Sequence, residues 1–315
     1  MTAEPLHPAV ARILREHGAE DAVALLAERL SGADLTSVLL EVMRRRALAT
    51  SAHDVLVQYE RDRFVQPAAV DPRRVMAIEL AALDTVAATF EPVATSPLAP
   101  LGTHSVIAGV HQHRVVTTVR GTEVAADPTN SLALEAAVRR RAPLRADPRS
   151  ATPVRLAAVD RVVRAQRFDG PRSFAHFSLL GLVTAGRDVG NRRFERDALV
   201  HHVRTLAAVC RRLGLPDVRV QLSDFSGECG DVLDAATAEL GPDELVVARW
   251  PGRELGRGYY PSVCWKVGVV HDGEEIEVAD GGLVDWSQRL LGNAKERMMI
   301  SGLGLERLAL VAPHA

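Results

Sequence analysis

The chain has 315 residues, 47% hydrophobic and 25% charged, with a formal net charge of -2. That balance excludes a disordered or fibrous chain, and it excludes a surface that is basic throughout and binds nucleic acid everywhere, though not a local basic site. At roughly 150 residues per domain, the length suggests two domains or one large domain with an appendage.

Only Lys266 and Lys295 are lysines, so arginine supplies almost all the positive charge. So lopsided a usage reads as a GC-rich coding bias, and one arginine alone says little about function. The three cysteines, Cys210, Cys229 and Cys264, form no CxxC pair, which argues against a zinc knuckle or a disulfide framework. They fit a cytoplasmic setting. No basic-then-apolar leader opens the chain, and no run approaches the ~20 apolar residues of a membrane span.

The first seventy residues read as helical, a domain over 1–70. Apolar periodicity marks 8–17, 20–30 and 34–46, and Ser51 to Asp54 has the form of a capping box opening another helix. Asp71-Pro72 is a helix start, with Asp at the N-cap and Pro at the first turn, and the helix should run to about Phe90. From there to residue 315 the texture is α+β. Strands are expected at Val106-Ile107, 115–119, 154–159, 178–184, 218–222 and 298–300, and helices at 131–141, 194–213, 235–240 and 287–290. A hairpin over 263–270 and 275–279 should turn at Asp272-Gly273.

Three segments carry chemistry. Val163-Arg164-Ala165-Gln166 leads through Arg172 to Phe177 and a strand. Two strands joined by an arginine-rich loop can grip a polyphosphate, because guanidinium donors match phosphate oxygens, and an aromatic at the loop exit can cover a purine. A hairpin with solvated arginines would account for the same residues. Ser301-Gly302-Leu303-Gly304-Leu305-Glu306-Arg307 follows a short strand, and its glycines would admit a ligand close to the backbone, or serve a packing turn. Gly256-Arg257-Gly258-Tyr259-Tyr260, whose paired tyrosines could line a small pocket or belong to the core, is followed twenty residues on by Asp280-Gly281-Gly282-Leu283-Val284-Asp285.

In order and spacing these segments resemble the class II aminoacyl-tRNA synthetases, most closely the catalytic core of histidyl-tRNA synthetase, over about residues 71–310. The helix from Asp71 to Phe90, leading to Thr95-Ser96-Pro97, looks like motif 1, Ala126-Asp127-Pro128-Thr129 like the amino-acid-contacting Arg-Pro-Glu-x-Thr stretch, the Arg164 to Phe177 segment like motif 2, and Gly302 to Arg307 like motif 3. Gly256 to Tyr260 sits where the family has Arg-Gly-Leu-Asp-Tyr-Tyr, and Gly281 to Asp285 where it has Gly-Gly-Arg-Tyr-Asp. The resemblance implies a mostly antiparallel sheet flanked by helices that binds ATP with Mg²⁺ and joins a carboxylate to the α-phosphorus. Arg164 would hold the α-phosphate, Arg307 and Phe177 would sandwich the adenine, and Arg172, Gly302 and Gly304 would complete the nucleotide site. Asp127, Thr129, Tyr259, Tyr260 and Asp285 would face the amino acid.

The departures matter equally. The acidic residue after the motif 2 arginine is Gln166, the histidine-reading positions are Leu179 and Val183, and the catalytic arginine's place is taken by Leu255, with Arg253 and Arg257 nearby. Arg257 is the candidate substitute. Loss of polar reading groups should abolish histidine selectivity. The chain ends soon after, which implies no anticodon-binding domain. Between Arg139 and Arg172, ten arginines face three aspartates, a tract suited to phosphates and to tRNA or a carrier-protein acceptor. These features suggest an adenylating paralogue that forms a homodimer through the Val75, Ile78 and Leu83 face. The alternatives are a non-catalytic regulatory protein like the ATP phosphoribosyltransferase regulatory subunit, and a binder of the tRNA acceptor stem.

Overall fold

The computed structural model describes residues 5–165 and 174–313. It divides into two compact units, Met1–Asp62 with Thr117–Thr122, and Arg63–Val116 with Glu123–Ala315. The first division thus falls at 62/63, earlier than residue 70. Among the described residues no helix is long and apolar enough to cross a membrane.

The first unit holds Pro8–Glu16 (α1), Ala22–Ala24 (α2), Gly32–Leu48 (α3) and Ala52–Arg61 (α4). The expected helix over 20–30 breaks into α2 and a π-helical turn at Leu25–Arg29. The capping box is formed in full: Ser51 Oγ accepts from Asp54 N–H, and the Asp54 carboxylate accepts from Ser51 N–H. None of the four helices buries a side chain completely.

The second unit is built on one eight-stranded sheet. Asp71 caps Pro72–Val86 (α5), which ends four residues before Phe90. Glu91–Pro92 (β1) follows, and Leu98–Pro100 (β2) with Thr122–Val124 (β3) forms a separate two-stranded sheet. Next come Pro128–Ala146 (α6), Val154–Val163 (β4), His176–Arg187 (β5), Arg193–Arg212 (α7), Val218–Asp224 (β6), Gly230–Leu240 (α8), Val246–Arg249 (β7), Val263–His271 (β8), Glu274–Val284 (β9), Trp286–Leu291 (α9), Glu296–Gly304 (β10) and Leu305–Val311 (α10). The strand order is β1-β4-β5-β10-β9-β8-β6-β7, antiparallel except at the two edge pairs. Asp272 and Gly273 both have positive φ (51° and 80°), the geometry of a tight hairpin turn between β8 and β9.

Two expected strands are absent. Val106 and Ile107 lie in a π-helical turn at Thr103–Ile107, opened by Gly102 at φ 92°. Residues 115–119 form no named strand; they follow a 3-10 turn at Gln112–Arg114. In both places a β-branched run is short enough for local turn chemistry to override its strand propensity.

The side-chain period of two divides the sheet. One face (Leu180, Leu182, Trp265, Leu303) packs with Ile78, Val86, Leu199 and Leu206 of α5 and α7 into a core. Val75 and Ile78 are therefore buried inside the chain, so the face expected to form a dimer is already covered; Met76 and Leu80 are the exposed apolar residues of α5. The other face (Leu156, Val183, Met298, Ile300) is covered at one end by Leu132, Ala133 and Ala136 of α6. Past the start of α6 that face is open.

Candidate active site

The open part of that face forms a cavity of about 440 Å³. Its floor comes from three adjacent strands in register: Gly302 of β10 lies opposite Gly181 of β5 and Asp280 of β9, and Gly304 lies opposite Leu179. The start of α6 approaches closely because Gly181 has no side chain; a Cβ there would sit 2.8 Å from Pro128 Cγ. That approach places Asp127 and Thr129 at the rim. Asp127 caps α6, accepting from Thr129 N–H at 2.9 Å and Thr129 Oγ1 at 2.7 Å.

Arg164, just after β4, donates from Nε to the Ala126 carbonyl (3.1 Å) and faces Asp127 Oδ2 across 3.3 Å. Its guanidinium lies 5.1 Å from the centre of the Phe177 ring, a cation–π contact. Arg307, in the first turn of α10, donates to the Glu277 carbonyl at 2.8 Å. The cavity thus gathers Arg164, Phe177, Gly302, Gly304, Arg307, Asp127, Thr129, Tyr259 and Tyr260. Arg172 lies outside the described residues.

Two residues assigned to the site are not brought there. Arg257 is half exposed, bonded to Glu254 Oε2 (3.2 Å) and stacked on Phe225, outside the cavity lining. Gly256 at φ 95° turns the loop so that Arg253, not Arg257, faces inward. Asp285 begins α9 beside Arg289 (3.8 Å), also outside the lining.

Arg253 is 1% exposed. Its Nε donates to the Leu255 carbonyl (2.7 Å), its Nη2 to Asp280 Oδ2 (2.5 Å), and its guanidinium lies 5.8 Å from the Phe225 and Tyr260 ring centres. The Tyr260 hydroxyl donates to the other Asp280 oxygen. Burial raises the Asp280 carboxyl, with Arg253 and the Tyr260 hydroxyl pulling against it. Burial also pushes both tyrosine phenols well above their ordinary value. Glu306 is buried too: it accepts from Ser178 N–H and from Arg161 (3.0 Å), yet burial still raises it. At one wall, Ala126 N–H donates to His104 Nε2 (2.9 Å), so Nδ1 carries the proton given to Glu123 (2.6 Å). Burial works to raise Glu123, but donors from Gln112, His104 and Gly102 outweigh it and hold the carboxylate low.

Sequence reasoning missed Asp280, Asn130 and Glu306 as lining residues. Asp280 had a signal, since it precedes the Gly-Gly pair. Asn130 follows the Asp-Pro-Thr segment, and Glu306 sits inside the motif 3 match.

The two glycine pairs differ in what they touch. A Cβ on Gly281 would meet the Trp265 ring at 2.4 Å and the Ile300 carbonyl at 2.7 Å, and one on Gly282 would meet Tyr260 at 2.6 Å. Those two glycines are packing requirements. Among the described residues, a Cβ on Gly302 or Gly304 would come no closer than 3.6 Å to its neighbours. Packing among the described residues does not demand glycine there, and a side chain would only fill the cavity, so the pair could cradle a ligand. With Arg164, Arg307 and Phe177 around it, the cradle fits a nucleotide. It has no ready metal cage: among the described residues no group of three or more His, Cys, Asp or Glu could hold a metal. The lining carboxylates are all engaged, Asp127 by Arg164, Asp280 by Arg253, Glu277 by Lys266 and Glu306 by Arg161. A Mg²⁺ would enter on the phosphates, held mainly by them and by water.

Four of the ten arginines in the tract are paired with carboxylates. Arg139 pairs with Glu91 and Glu135 (both 2.7 Å), Arg161 with Glu306, and Arg164 with Asp127. Arg140 is fully buried in a two-bond pair with Glu296 of β10 (2.8 Å each). Arg141, Arg145 and Arg149 remain exposed.

No protein-family model matches the chain, and a search of curated proteins finds no match. Solved structures do match. An ATP phosphoribosyltransferase regulatory subunit/histidyl-tRNA synthetase from Bacillus halodurans is 13% identical, with a TM-score of 0.61 over 79% of this chain and 83% of that one. Apo histidyl-tRNA synthetase of S. aureus is 12% identical (TM-score 0.57, over 77% and 67%). A histidine–tRNA ligase subunit from Alicyclobacillus acidocaldarius is 16% identical (TM-score 0.57, over 78% and 94%). The chain thus shares the class II synthetase-like fold of these neighbours, with its eight-stranded, mostly antiparallel sheet flanked by helices.

Proposed function

We propose that the chain is an ATP-dependent enzyme that activates a small carboxylate, an amino acid other than histidine, as its acyl-adenylate. One observation carries this reading: Gly302 and Gly304 leave room that packing does not require, in a cavity that also holds Arg164, Phe177 and Arg307. A carboxylate oxygen would attack the α-phosphorus. The bond to the bridging oxygen would break, and pyrophosphate would leave with the electron pair. Arg164 is the cation for the charge that builds at the α-phosphate, and Arg307 and Phe177 hold the base. When bound with the nucleotide, Mg²⁺ would supply screening of the phosphate charge.

Leu179 lines the floor where a histidine-reading group would stand, and it offers no hydrogen bond to an imidazole. The second such position, Val183, is buried in the core beyond the cavity. Pyrophosphate exchange across the twenty amino acids is the test. Exchange with at least one, and none above background with histidine, is expected. ATP binding by calorimetry with no exchange for any amino acid overturns it.

The regulatory reading has one observation in its favour: Leu255, where synthetases carry the catalytic arginine, is 67% exposed at the cavity rim and apolar. Absence of ATP binding would favour it. A tRNA or carrier-protein acceptor would have to meet Arg141, Arg145 and Arg149; a steep salt dependence, lost in R141E/R145E, is expected. A homodimer would draw on Met76 and Leu80, and light scattering checks it.

A further inference from the structure

The cavity has two ends of different chemistry. At one end stand Arg164, Phe177, Arg307 and the open glycines. At the other, Arg253, Asp280, Tyr259, Tyr260 and Asn130 line the wall. This second end holds Arg253 Nη1, a buried donor that nothing among the described residues satisfies, and Asn130, whose side-chain amide interacts with the Tyr259 phenol but whose Nδ2 has no close acceptor. Both side chains are 1% exposed. A buried donor without a partner is costly, and an unpaired guanidinium nitrogen is costlier still. Arg253 is nonetheless held firmly, by the Leu255 carbonyl, by Asp280 and between two aromatic rings, so Nη1 cannot swing to another acceptor without breaking those contacts. Asp280 accepts from Nη2 at Oδ2 and from the Tyr260 hydroxyl at Oδ1, and neither of its oxygens lies within hydrogen-bond distance of Nη1. What is missing at this end is an acceptor, and a ligand must bring it.

Charge says which acceptor. Four arginines line the cavity (Arg114, Arg164, Arg253, Arg307) against Asp127, Glu277, Asp280 and Glu306. The lining is therefore balanced, and the preference comes from the unmet donor itself: a guanidinium N–H bonds an anionic oxygen more strongly than a neutral one. A carboxylate is planar and two-pronged, suited to a guanidinium N–H and an amide N–H.

We propose that Arg253 and Asn130 form a receptor for a second carboxylate, so that the small-molecule substrate is a dicarboxylate: an acidic amino acid or a dicarboxylic acid of similar length. This rests on the adenylation reading, in which the first carboxylate goes to the nucleotide end. The receptor positions the substrate and sets its class, and takes no part in the chemical step.

Calorimetry with L-aspartate, L-glutamate and succinate, against L-alanine, L-histidine and L-lysine, with and without ATP, tests it. At least one dicarboxylate should bind roughly 100-fold more tightly than the uncharged and cationic compounds, as expected for a site built around a ligand's polar group. R253Q and N130A should each lose that preference. R253Q strands Asp280 and could unfold, so N130A, which leaves the Arg253–Asp280 pair intact, is the decisive variant, with a thermal melt as its folding control. Equal binding of mono- and dicarboxylates, or an undiminished preference in folded N130A, overturns the proposal. ATP binding without any dicarboxylate binding overturns it and leaves the adenylation reading standing. Dicarboxylate binding without ATP binding overturns the adenylation reading and supports the receptor.

Discussion

Two glycine pairs on neighbouring strands look alike in sequence and do opposite things. Gly281 and Gly282 on β9 are glycine because atoms stand where a Cβ would be, while at Gly302 and Gly304 on β10 no described neighbour would come closer to a Cβ than 3.6 Å. One pair closes the core against Trp265 and Tyr260. The other keeps space open. A glycine motif therefore divides into folding and function only when its surroundings are known, and the second kind points to a ligand.

The largest effect expected from breaking this contrast is in Gly281→Ala. Its Cβ would oppose a backbone carbonyl and an indole that is fully buried, so a loss of about 3 kcal/mol or failure to fold is expected. A melt matching the parent would undo the packing account. Arg140→Met comes next. It strands Glu296 without a cation in the same β10 and should cost about 3 kcal/mol by denaturant titration, provided the cavity strand depends on that pair. Gly302→Ala should leave the melting midpoint within about 0.5 kcal/mol of the parent, while ATP affinity falls tenfold or more. Unchanged ATP binding in that variant would make the cradle incidental.

The smallest effect concerns protonation. The folded pKa of Glu306 is raised, so its contribution is full below the ordinary carboxylate range and is lost as pH rises through the raised value. Glu306→Gln should melt like the parent at low pH and gain on it as pH approaches neutrality. A difference that shrinks with rising pH would contradict the burial account.

Much of the fold was legible because local rules and long-range packing agree. Asp71-Pro72, the Ser51 capping box and Asp272-Gly273 each state their own geometry in two to four residues. The ordered segments from Arg164 to Arg307 pointed to the sheet and the cavity floor. What stayed hidden depended on partners far along the chain. The arginine tract looked strongly basic because a running charge sum does not see Glu91, Glu296 and Glu306 folding back onto it. Arg253 and Arg257 are separated by three residues of loop, where no periodicity tells which faces inward; one left-handed glycine decides it. Val106 and Ile107 have strand-forming side chains, yet Gly102 turns them into a helical turn.

The buried Arg140–Glu296 pair has a mechanical meaning. It ties the far part of α6 to the start of β10, while Asp127 and Thr129 at the near end of α6 and Gly302 and Gly304 at the far end of β10 face the cavity. From Arg140 back to Asp127, thirteen residues of helix span about 20 Å. The helix is then a lever with its fulcrum at the ion pair, and a tilt of about three degrees swings the Asp127 end by about 1 Å, the scale on which a reacting group is in or out of place.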